Sequence, residues 1–344
     1  MENGINILSL FDGISCGQIA LERAGIKVAN YYASEIDEKA IQVTQKNYPN
    51  TIQIGSVSAL DTRSLPNIEL LHGGSPCQSF SFAGKRNGMS TIDNIEITTL
   101  EQYLELKNNN FQFEGQSYLF WEYVRVLKEV NPKYFLLENV KMQKKWQDII
   151  TKTLDVEPIE INSALVSAQN RRRLYWTNIP NVCQPKDKNI ILDKVLYRLP
   201  HGYMKEEISF ESKYPTLAAQ SPGTKHKVIT NTELSDYAKS RVSERKGNKL
   251  GLVYSWYNDK VHVEKSPTLT CNSNCWSATG GIIVIENDEY RILSPEECEK
   301  LQTLPENYTN CLNKTARYKA IGNGWTVDVI SHIYSFLPEQ YKSE

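Results

Sequence analysis

Residues 68–82 read Ile-Glu-Leu-Leu-His-Gly-Gly-Ser-Pro-Cys-Gln-Ser-Phe-Ser-Phe, an apolar run that stops at two glycines. The run predicts a short buried strand, the glycines end it, and Pro76 fixes the backbone immediately before Cys77. Catalytic groups in open α/β sheets lie at the carboxyl ends of strands, which is where this cysteine falls. A single cysteine is also common as a small buried apolar residue, so this stretch alone leaves both interpretations of Cys77 open.

The N-terminal stretch predicts the first units of a nucleotide-binding sheet. It follows the order strand, glycine turn, helix, strand in residues 5–11, 12–17, 18–24 and 28–34. Gly13 and Gly17 would let the backbone approach a ligand at the start of the helix. The second strand ends in Glu35, and an acid at this position suits ribose hydroxyl groups, with an exposed surface acid as the alternative.

The alternation of strands and helices continues along the first half of the chain. Helices are predicted at 38–47, 117–130 and 146–154, and further strands at 51–57, 134–137, 159–165 and 174–178. This order predicts a doubly wound parallel sheet with helices on both faces. Residues 85–115 are polar, rich in Asn and without a period, so we expect a long mobile loop that can close over a site.

Polar motifs recur at the ends of the later elements. Glu138-Asn139 follows the strand at 134–137, and a buried carboxylate there would need a partner. Three adjacent arginines, 171–173, lie between two apolar strands, so we expect some of them to point into a site. Ser294 to Glu297 has the pattern of a capping box at a helix start. A glycine turn at 322–324 precedes a helix at 327–336.

Composition limits the class of protein. The chain has 344 residues, a net charge of −1 and no apolar run long enough to span a membrane. No secretory signal is visible, and seven scattered cysteines indicate free thiols in a reducing cytosol. Cys271 and Cys275 form the one close pair, and without a second ligand pair we expect no metal site. Residues 223–250 carry seven Lys/Arg against three acids, either a solvated surface or a phosphate-contacting patch.

The motifs together, in their order along nearly the whole chain, resemble those of the DNA cytosine-5 methyltransferases, in particular the solitary and phage-type bacterial members. They are Phe11-Asp12-Gly13 with Gly17, Glu35, Gly74-Ser75-Pro76-Cys77-Gln78, Glu138-Asn139-Val140, Gln169-Asn170-Arg171-Arg172-Arg173, Pro267-Thr268-Leu269, Arg291 with Ser294-Pro295-Glu296-Glu297-Cys298, and Gly322-Asn323-Gly324. The resemblance implies an α/β fold, with a doubly wound Rossmann-like S-adenosylmethionine-dependent methyltransferase sheet and a smaller, irregular target-recognition domain. We assign residues 1–183 and 318–344 to the catalytic domain, 184–290 to target recognition, and 291–317 to a hinge with the capping-box helix.

The resemblance implies methyl transfer from S-adenosylmethionine to C5 of a cytosine flipped out of a specific DNA duplex. Cys77 would attack C6 as a thiolate, because C5 by itself is a poor nucleophile. Glu138 would hold N3 and the exocyclic amine, by protonation or hydrogen bonding, with Asn139 supporting this geometry. Arg173, with Arg171, would contact the cytosine O2. The implied catalytic set is Cys77, Glu138, Asn139, Gln169, Arg171 and Arg173.

The resemblance also implies the binding residues. The cofactor set is Phe11, Asp12, Gly13 and Gly17 at the methionine portion, Glu35 at the ribose, Ile36, Ser56 and Leu119 at the adenine, and Asn323, Trp325 and Thr326 at the methionine end. The family usually has Asp where Ser56 stands, and a hydroxyl accepts a hydrogen bond from the adenine amine more weakly than a carboxylate does. The implied DNA contacts are Gln78, Ser81, Arg241, Arg245 and Thr268, and the basic residues of 223–250 are then interpreted as phosphate contacts.

Three other functions use parts of the same pattern. A transfer-RNA cytosine-5 methyltransferase would keep the chemistry with another substrate, but the basic insert favours duplex DNA. An idle DNA-binding module is disfavoured by the intact catalytic set, and a nicotinamide dehydrogenase by the incomplete glycine fingerprint. We expect a monomer in the cytoplasm of a prokaryotic cell or phage-infected host, with any cognate restriction endonuclease acting separately.

Overall fold

A computed structural model describes residues 4–76, 89–93, 95–196, 252–255, 260–262, 264–270, 282–286 and 289–343. Several residues singled out in the sequence lie outside this described part: Cys77, Gln78, Ser81, Arg241, Arg245, Cys271, Cys275 and the run 223–250. The chain divides into two compact units. The first comprises Met1–Asn162, Arg172–Pro185 and Val327–Glu344, and the second comprises Ser163–Arg171 and Lys186–Thr326.

The first unit is built on a seven-stranded sheet. Its strands are β1 Ile5–Leu10, β2 Val28–Ser34, β3 Ile52–Gln53, β4 Leu70–Gly73, β5 Tyr134–Val140, β6 Ile159–Asn162 and β7 Arg172–Thr177. Its helices are α1 Cys16–Arg23, α2 Glu38–Asn47, α3 Leu100–Asn108, α4 Phe120–Val130, α5 Lys144–Leu154 and, at the end of the chain, α8 Val327–Tyr334. The strand order is β3-β2-β1-β4-β5-β7-β6, so the order reverses beside β1.

The prediction of a wholly parallel sheet is wrong at one strand. β1 to β5 pair in parallel, whereas β7 pairs antiparallel with both β5 and β6. The physical reason is the short link between β6 and β7, which spans only 163–171. A parallel crossover needs a dozen or more residues, so a link of this length favours an antiparallel pair.

Two further predictions about local structure need correction. The third strand ends at Gln53 instead of continuing to 57, since Gly55 turns the backbone with φ +74° and a 3-10 helix follows at Val57–Ala59. The segment 85–115 is not wholly loop, because α3 begins after Thr99, whose side chain accepts a hydrogen bond from the Gln102 N–H. The helix buries Leu100 and Tyr103, spaced three residues apart on one face.

The core of the first unit lies between the sheet and its helices. It is formed by apolar side chains of the central strands, including Leu8, Leu71 and Leu137, against Trp121 of α4 and Trp146 of α5. All five are nearly inaccessible to solvent. This packing fixes the carboxyl ends of β1, β4 and β5, where the predicted site residues begin.

The second unit contains a four-stranded antiparallel sheet in the order β11-β10-β8-β9, a regular feature that the sequence did not predict. Its strands are β8 Leu252–Ser255, β9 Lys260–His262, β10 Ile282–Glu286 and β11 Glu289–Ile292, followed by helices α6 Pro295–Leu301 and α7 Lys314–Asn323. The predicted capping box is confirmed, with Ser294 and Glu297 bonding each other's backbone N–H.

Helix α7 belongs wholly to this second unit, whereas the predicted domain boundary at 318 cuts through it. Arg317 on α7 forms an ion pair with the buried carboxylate of Glu299 on α6, at 2.9 Å. Tyr318 donates a hydrogen bond to the Leu293 carbonyl. These bonds hold the two helices together, and the functional division of the chain stays a prediction. None of the helices in the described ranges is long and apolar enough to cross a membrane.

Candidate active site

The turn that follows β4 is anchored by Asn139 on the neighbouring strand β5. Asn139 is 1% exposed, and its amide Nδ2 donates to Ser75 at both the carbonyl oxygen, 3.2 Å, and Oγ, 3.0 Å. Its Oδ1 accepts from the Val140 N–H at 2.8 Å, which fixes the amide orientation. Ser75 lies two residues before Cys77, so the backbone that leads to the predicted nucleophile is tied to β5.

Glu138 and Arg173 form an ion pair across β5 and β7. The Arg173 Nε lies 3.0 Å from Glu138 Oε1, and the two side chains are only 14% and 12% exposed. Arg173 Nη1 also donates to the Arg172 carbonyl at 2.9 Å. The partner that the buried carboxylate required is therefore Arg173, and within the described part of the chain no other residue bonds this carboxylate.

Arg171 has a different environment, within the second unit. It is 5% exposed, and its guanidinium donates to the carbonyls of Leu269 at 3.0 Å, Gly324 at 3.1 Å and Gly322 at 3.5 Å. A guanidinium has five N–H donors, and the Arg171 guanidinium makes three hydrogen bonds to backbone carbonyls. Arg171 thus joins three segments of its own unit, and its predicted contact with a base stays a prediction.

Gln169 is fully buried beside this cluster. Its Nε2 makes one long hydrogen bond, 3.5 Å, to the Leu301 carbonyl. Its Oε1 has no hydrogen-bond partner among the residues described. A buried amide oxygen left unpaired is costly, so Gln169 presents an oriented acceptor of the kind that a ligand donor would satisfy.

The predicted cofactor turn between β1 and α1 is tightly constrained. Phe11, Gly13 and Ser15 all have left-handed backbone torsions, with φ of 56°, 59° and 56°. Such torsions are costly for residues other than glycine, so surrounding contacts must hold the turn. Asp12 supplies several of these contacts: its N–H donates to the Ser34 carbonyl at 3.2 Å, and its carboxylate accepts from the Ser15 hydroxyl.

Glu35, at the end of β2, accepts three backbone hydrogen bonds. Its Oε2 accepts from Gly13 N at 2.7 Å, and its Oε1 accepts from Ile36 N at 2.7 Å and Asp37 N at 2.9 Å. A carboxylate has about four lone-pair sites, so this group is oriented with capacity left for a hydroxyl donor. The adjacent Ile36 is 69% exposed, a free apolar surface beside the acid. An oriented acceptor beside an apolar face suits a nucleoside ribose and base.

The remaining predicted cofactor residues have these positions. Ser56 is half-buried, and its hydroxyl does not cap the 3-10 helix that follows it. Leu119 is partly buried against the core of the first unit. In the second unit Asn323 is exposed, Trp325 is half-buried and Thr326 is buried. Thr326 Oγ1 donates to Gln302 Oε1 at 2.8 Å.

Thr268, the one predicted DNA contact in the described ranges, is tied to the arginine motif of its own unit. Its hydroxyl donates to the Asn170 carbonyl at 2.7 Å. The N–H of the same Asn170 donates a backbone hydrogen bond to the Ser266 carbonyl at 2.8 Å. The proline-threonine motif and the arginine motif, far apart in sequence, are therefore neighbours.

One group at this site was missed by the motifs. His72 of β4 is fully buried, and the hydroxyls of Tyr31 and Tyr334 lie 3.0 Å and 2.6 Å from its two ring nitrogens. Burial lowers the pKa of His72 to about 3, so the ring is neutral. The signal was present in the stretch 68–82, where a histidine interrupts an apolar strand.

Comparisons with known proteins identify the fold and the family. A solved structure of a prophage-encoded E. coli protein, described as a DNA modification methyltransferase, superposes with a TM-score of 0.60 at 19% identity, covering 97% of this chain and 98% of that one. The fold is therefore that of a Rossmann-like methyltransferase. The family model described as C-5 cytosine-specific DNA methylase matches residues 5–338, and the chain belongs to this family of DNA methyltransferases.

Two curated relatives match over nearly the whole chain. The type II methyltransferase M1.ScrFI of Lactococcus lactis subsp. cremoris is 27% identical over 340 residues, covering 95% of this chain and 76% of the relative. The type II methyltransferase M.HhaI of Haemophilus parahaemolyticus is 22% identical over 348 aligned positions, covering 96% of this chain and 93% of the relative. The predicted enzyme class, a C-5 cytosine DNA methyltransferase, is confirmed.

Proposed function

We propose that this enzyme transfers a methyl group from S-adenosylmethionine to C5 of a cytosine flipped out of a specific DNA duplex, through a covalent bond between Cys77 and C6. The observation that carries the proposal is the anchoring of the Ser75 turn by Asn139, next to the Glu138–Arg173 pair. The reaction needs a nucleophile, which is Cys77 two residues after Ser75 in the sequence, and a carboxylate–guanidinium pair.

The chemistry assigns each group a step. The Cys77 thiolate attacks C6, which breaks the C5–C6 double bond and gives C5 the electron density to accept a methyl group. Glu138 hydrogen-bonds N3 and the exocyclic amine, and Arg173 neutralises charge that develops on O2. A base then removes the C5 proton, the double bond re-forms and the Cys77 sulfur leaves. Asn139 supports this geometry, Arg171 contacts O2 together with Arg173, and Gln169 completes the proposed catalytic set.

The residues present fit the proposed cofactor. Bound S-adenosylmethionine supplies an electrophilic methyl group. Glu35, oriented by three N–H donors, accepts from the ribose hydroxyls, and the exposed Ile36 covers the adenine together with Leu119. Ser56 offers its hydroxyl to the adenine amine. The rest of the proposed cofactor set lies in two turns: Phe11, Asp12, Gly13 and Gly17, and Asn323, Trp325 and Thr326.

The DNA contacts complete the proposal. Thr268 lies beside the target strand, Gln78 and Ser81 beside the flipped base, and Arg241 and Arg245 contact phosphates. The relatives are named type II methyltransferases, and others are named orphan phage methyltransferases. This likeness supports an enzyme of a prokaryote or phage. We expect a monomer in the cytoplasm of the prokaryotic cell or phage-infected host, with any cognate restriction endonuclease acting separately.

The test is bisulfite sequencing of plasmid DNA from cells that express the chain, beside a Cys77→Ala control. We expect one recurring methylated cytosine context with the active chain and none with the variant. Purified protein, labelled S-adenosylmethionine and competing duplex DNA and transfer RNA provide the matched assay in vitro. Methylation that survives Cys77→Ala would overturn the covalent mechanism, and label transferred to transfer RNA alone would overturn the choice of substrate.

A further inference from the structure

Four side chains of the first unit form a continuous hydrogen-bonded chain under the cofactor turn. The Tyr334 hydroxyl lies 2.6 Å from His72 Nδ1, the Tyr31 hydroxyl lies 3.0 Å from His72 Nε2, and Tyr31 also reaches Asp12 Oδ1 at 2.7 Å. His72 and Tyr334 are inaccessible to solvent, and Tyr31 is 4% exposed. The four residues come from β2, β4, α8 and the turn after β1, so the chain links elements far apart in sequence.

Counting the available protons shows which group donates and which accepts in each of these hydrogen bonds. Burial raises the pKa of Asp12 to about 6, against hydrogen bonds from Ser15, Ser9 and Tyr31, so above that pH the carboxylate only accepts. Tyr31 has one hydroxyl proton, which goes to Asp12. Its oxygen must then accept from His72, which requires the Nε2–H tautomer. A neutral imidazole has one N–H, so His72 Nδ1 accepts the proton of Tyr334.

The chain holds the turn from two sides. One oxygen of the Asp12 carboxylate accepts from Tyr31, and the other accepts from the hydroxyl of Ser15. Ser15 is one of the residues of the turn with a left-handed backbone. At the far end of the turn, a Cβ on Gly17 would lie 2.7 Å from the His72 ring and 2.9 Å from the Tyr31 hydroxyl. Position 17 must therefore be glycine to make room for the hydrogen-bonded side chains of His72 and Tyr31, independently of any ligand.

We propose that Tyr31 and His72 are positioning residues for cofactor binding, which together with Asp12 and Tyr334 hold the Phe11–Gly17 turn in the conformation that receives S-adenosylmethionine. This inference rests on the cofactor role proposed above for the turn. Both oxygens of the Asp12 carboxylate accept hydrogen bonds, one from Tyr31 and one from Ser15, so Asp12 belongs to this support.

The first experiment reads the tautomer directly in the ligand-free protein. Histidine labelled with ¹⁵N is incorporated, and two-bond ¹H–¹⁵N spectra are recorded from pH 8 to 6.5, where the Asp12 carboxylate is ionised, with His72 assigned by its absence in His72→Gln. We expect His72 to be neutral throughout, with the proton on Nε2. A proton on Nδ1, or a titration of His72 within this range, would overturn the assigned order of donors and acceptors from Tyr334 to Asp12.

The second experiment measures S-adenosylmethionine affinity by calorimetry for Tyr31→Phe, His72→Leu and His72→Gln. We expect affinity about tenfold weaker for Tyr31→Phe and His72→Leu, the loss that one buried hydrogen bond commonly causes. His72→Gln, which keeps an N–H donor toward Tyr31, should recover most of it. Tyr48→Phe, which removes a tyrosine–carboxylate hydrogen bond to Glu22 at 2.9 Å elsewhere in the unit, is the matched control and should bind normally.

The kinetic signature separates positioning from a general loss of structure. With the cofactor saturating, single-turnover methyl transfer by Tyr31→Phe should stay within about twofold of the parent, since Tyr31 acts only through the turn. Parental affinity in both Tyr31→Phe and His72→Leu would overturn the inference, as would a lower rate at parental affinity. A parent chain that fails to bind S-adenosylmethionine would instead refute the proposed function, and the tautomer would still be measured.

Discussion

The Asn139 amide permits a direct test of how the nucleophile turn is held. Asn139→Ala removes two hydrogen bonds to Ser75 and one from the Val140 N–H, at a position that is 1% exposed. Water does not replace these bonds in a buried site. At about 1 kcal/mol net for each bond, the free energy of unfolding should fall by about 3 kcal/mol. Urea denaturation measures this loss.

Loss of the same anchor should also slow the reaction. Ser75 lies two residues from Cys77, and a displacement of about 1 Å in a reacting group costs on the order of a hundredfold in rate. We therefore expect single-turnover methyl transfer by Asn139→Ala to be about 100-fold slower, at unchanged affinity for S-adenosylmethionine. Rapid-quench assays with labelled cofactor and excess enzyme measure this step.

Asn178→Ala is the matched control. Asn178 accepts from Phe135 N at 2.8 Å and donates to the Lys133 carbonyl at 3.0 Å, so it also fixes β5, but at the opposite end of that strand. Its loss should lower stability by about 1–2 kcal/mol and leave the rate of methyl transfer unchanged. A parental single-turnover rate in Asn139→Ala, measured under conditions where the variant is folded, would refute the role of Asn139.

Three further predictions concern single residues. Glu35→Ala should weaken S-adenosylmethionine binding about tenfold or more by calorimetry with little change in fold, and unchanged affinity would remove Glu35 from the cofactor site. Arg171→Met should lower the free energy of unfolding by about 2–3 kcal/mol in urea, because hydrogen bonds to three buried carbonyls are lost; an unchanged value would remove its structural role. The pKa of His72 is about 3 in the folded protein, below its ordinary value of 6.5, so its stabilising contribution is complete above pH 6.5 and is lost as pH falls from 6.5 to about 3. Relative to the parent, the free energy of unfolding of His72→Gln should therefore rise by about 1.4 kcal/mol for each pH unit below 6.5, as measured by urea denaturation. Parallel pH profiles for the two proteins would contradict this.

The elements with a strong local signal were predictable to the residue. Strand 28–34 and helix 38–47 are found at those bounds because alternation, helical spacing and the Asp37 cap all act within a few residues. The capping box at Ser294 is equally local. Helix α3 carried a similar signal, with Thr99 as its cap, but the polar residues around it masked the period.

The parts that could not be predicted depend on contacts between distant residues. Nothing near position 72 indicates that Tyr31 and Tyr334 surround the imidazole, since these residues are 41 and 262 positions away. The environment of Arg171 is similar, because its carbonyl partners lie about 100 and 150 positions along the chain. Sequence spacing identified which residue types matter, and the fold alone distinguishes the arginine that holds backbone from the one that pairs with Glu138.

Because β7 pairs antiparallel with β5 and β6, the length of the 163–171 link controls the register of the strand. Tyr175 lies opposite Glu138, and Arg173, two residues away, shares its face, whereas Arg172 is exposed and bonds Glu160 at 3.1 Å. A one-residue insertion or deletion that moved the register would exchange the two faces of the strand. Point substitutions in the link should then be tolerated far better than changes of length, and a library that varies the two independently would reveal this asymmetry.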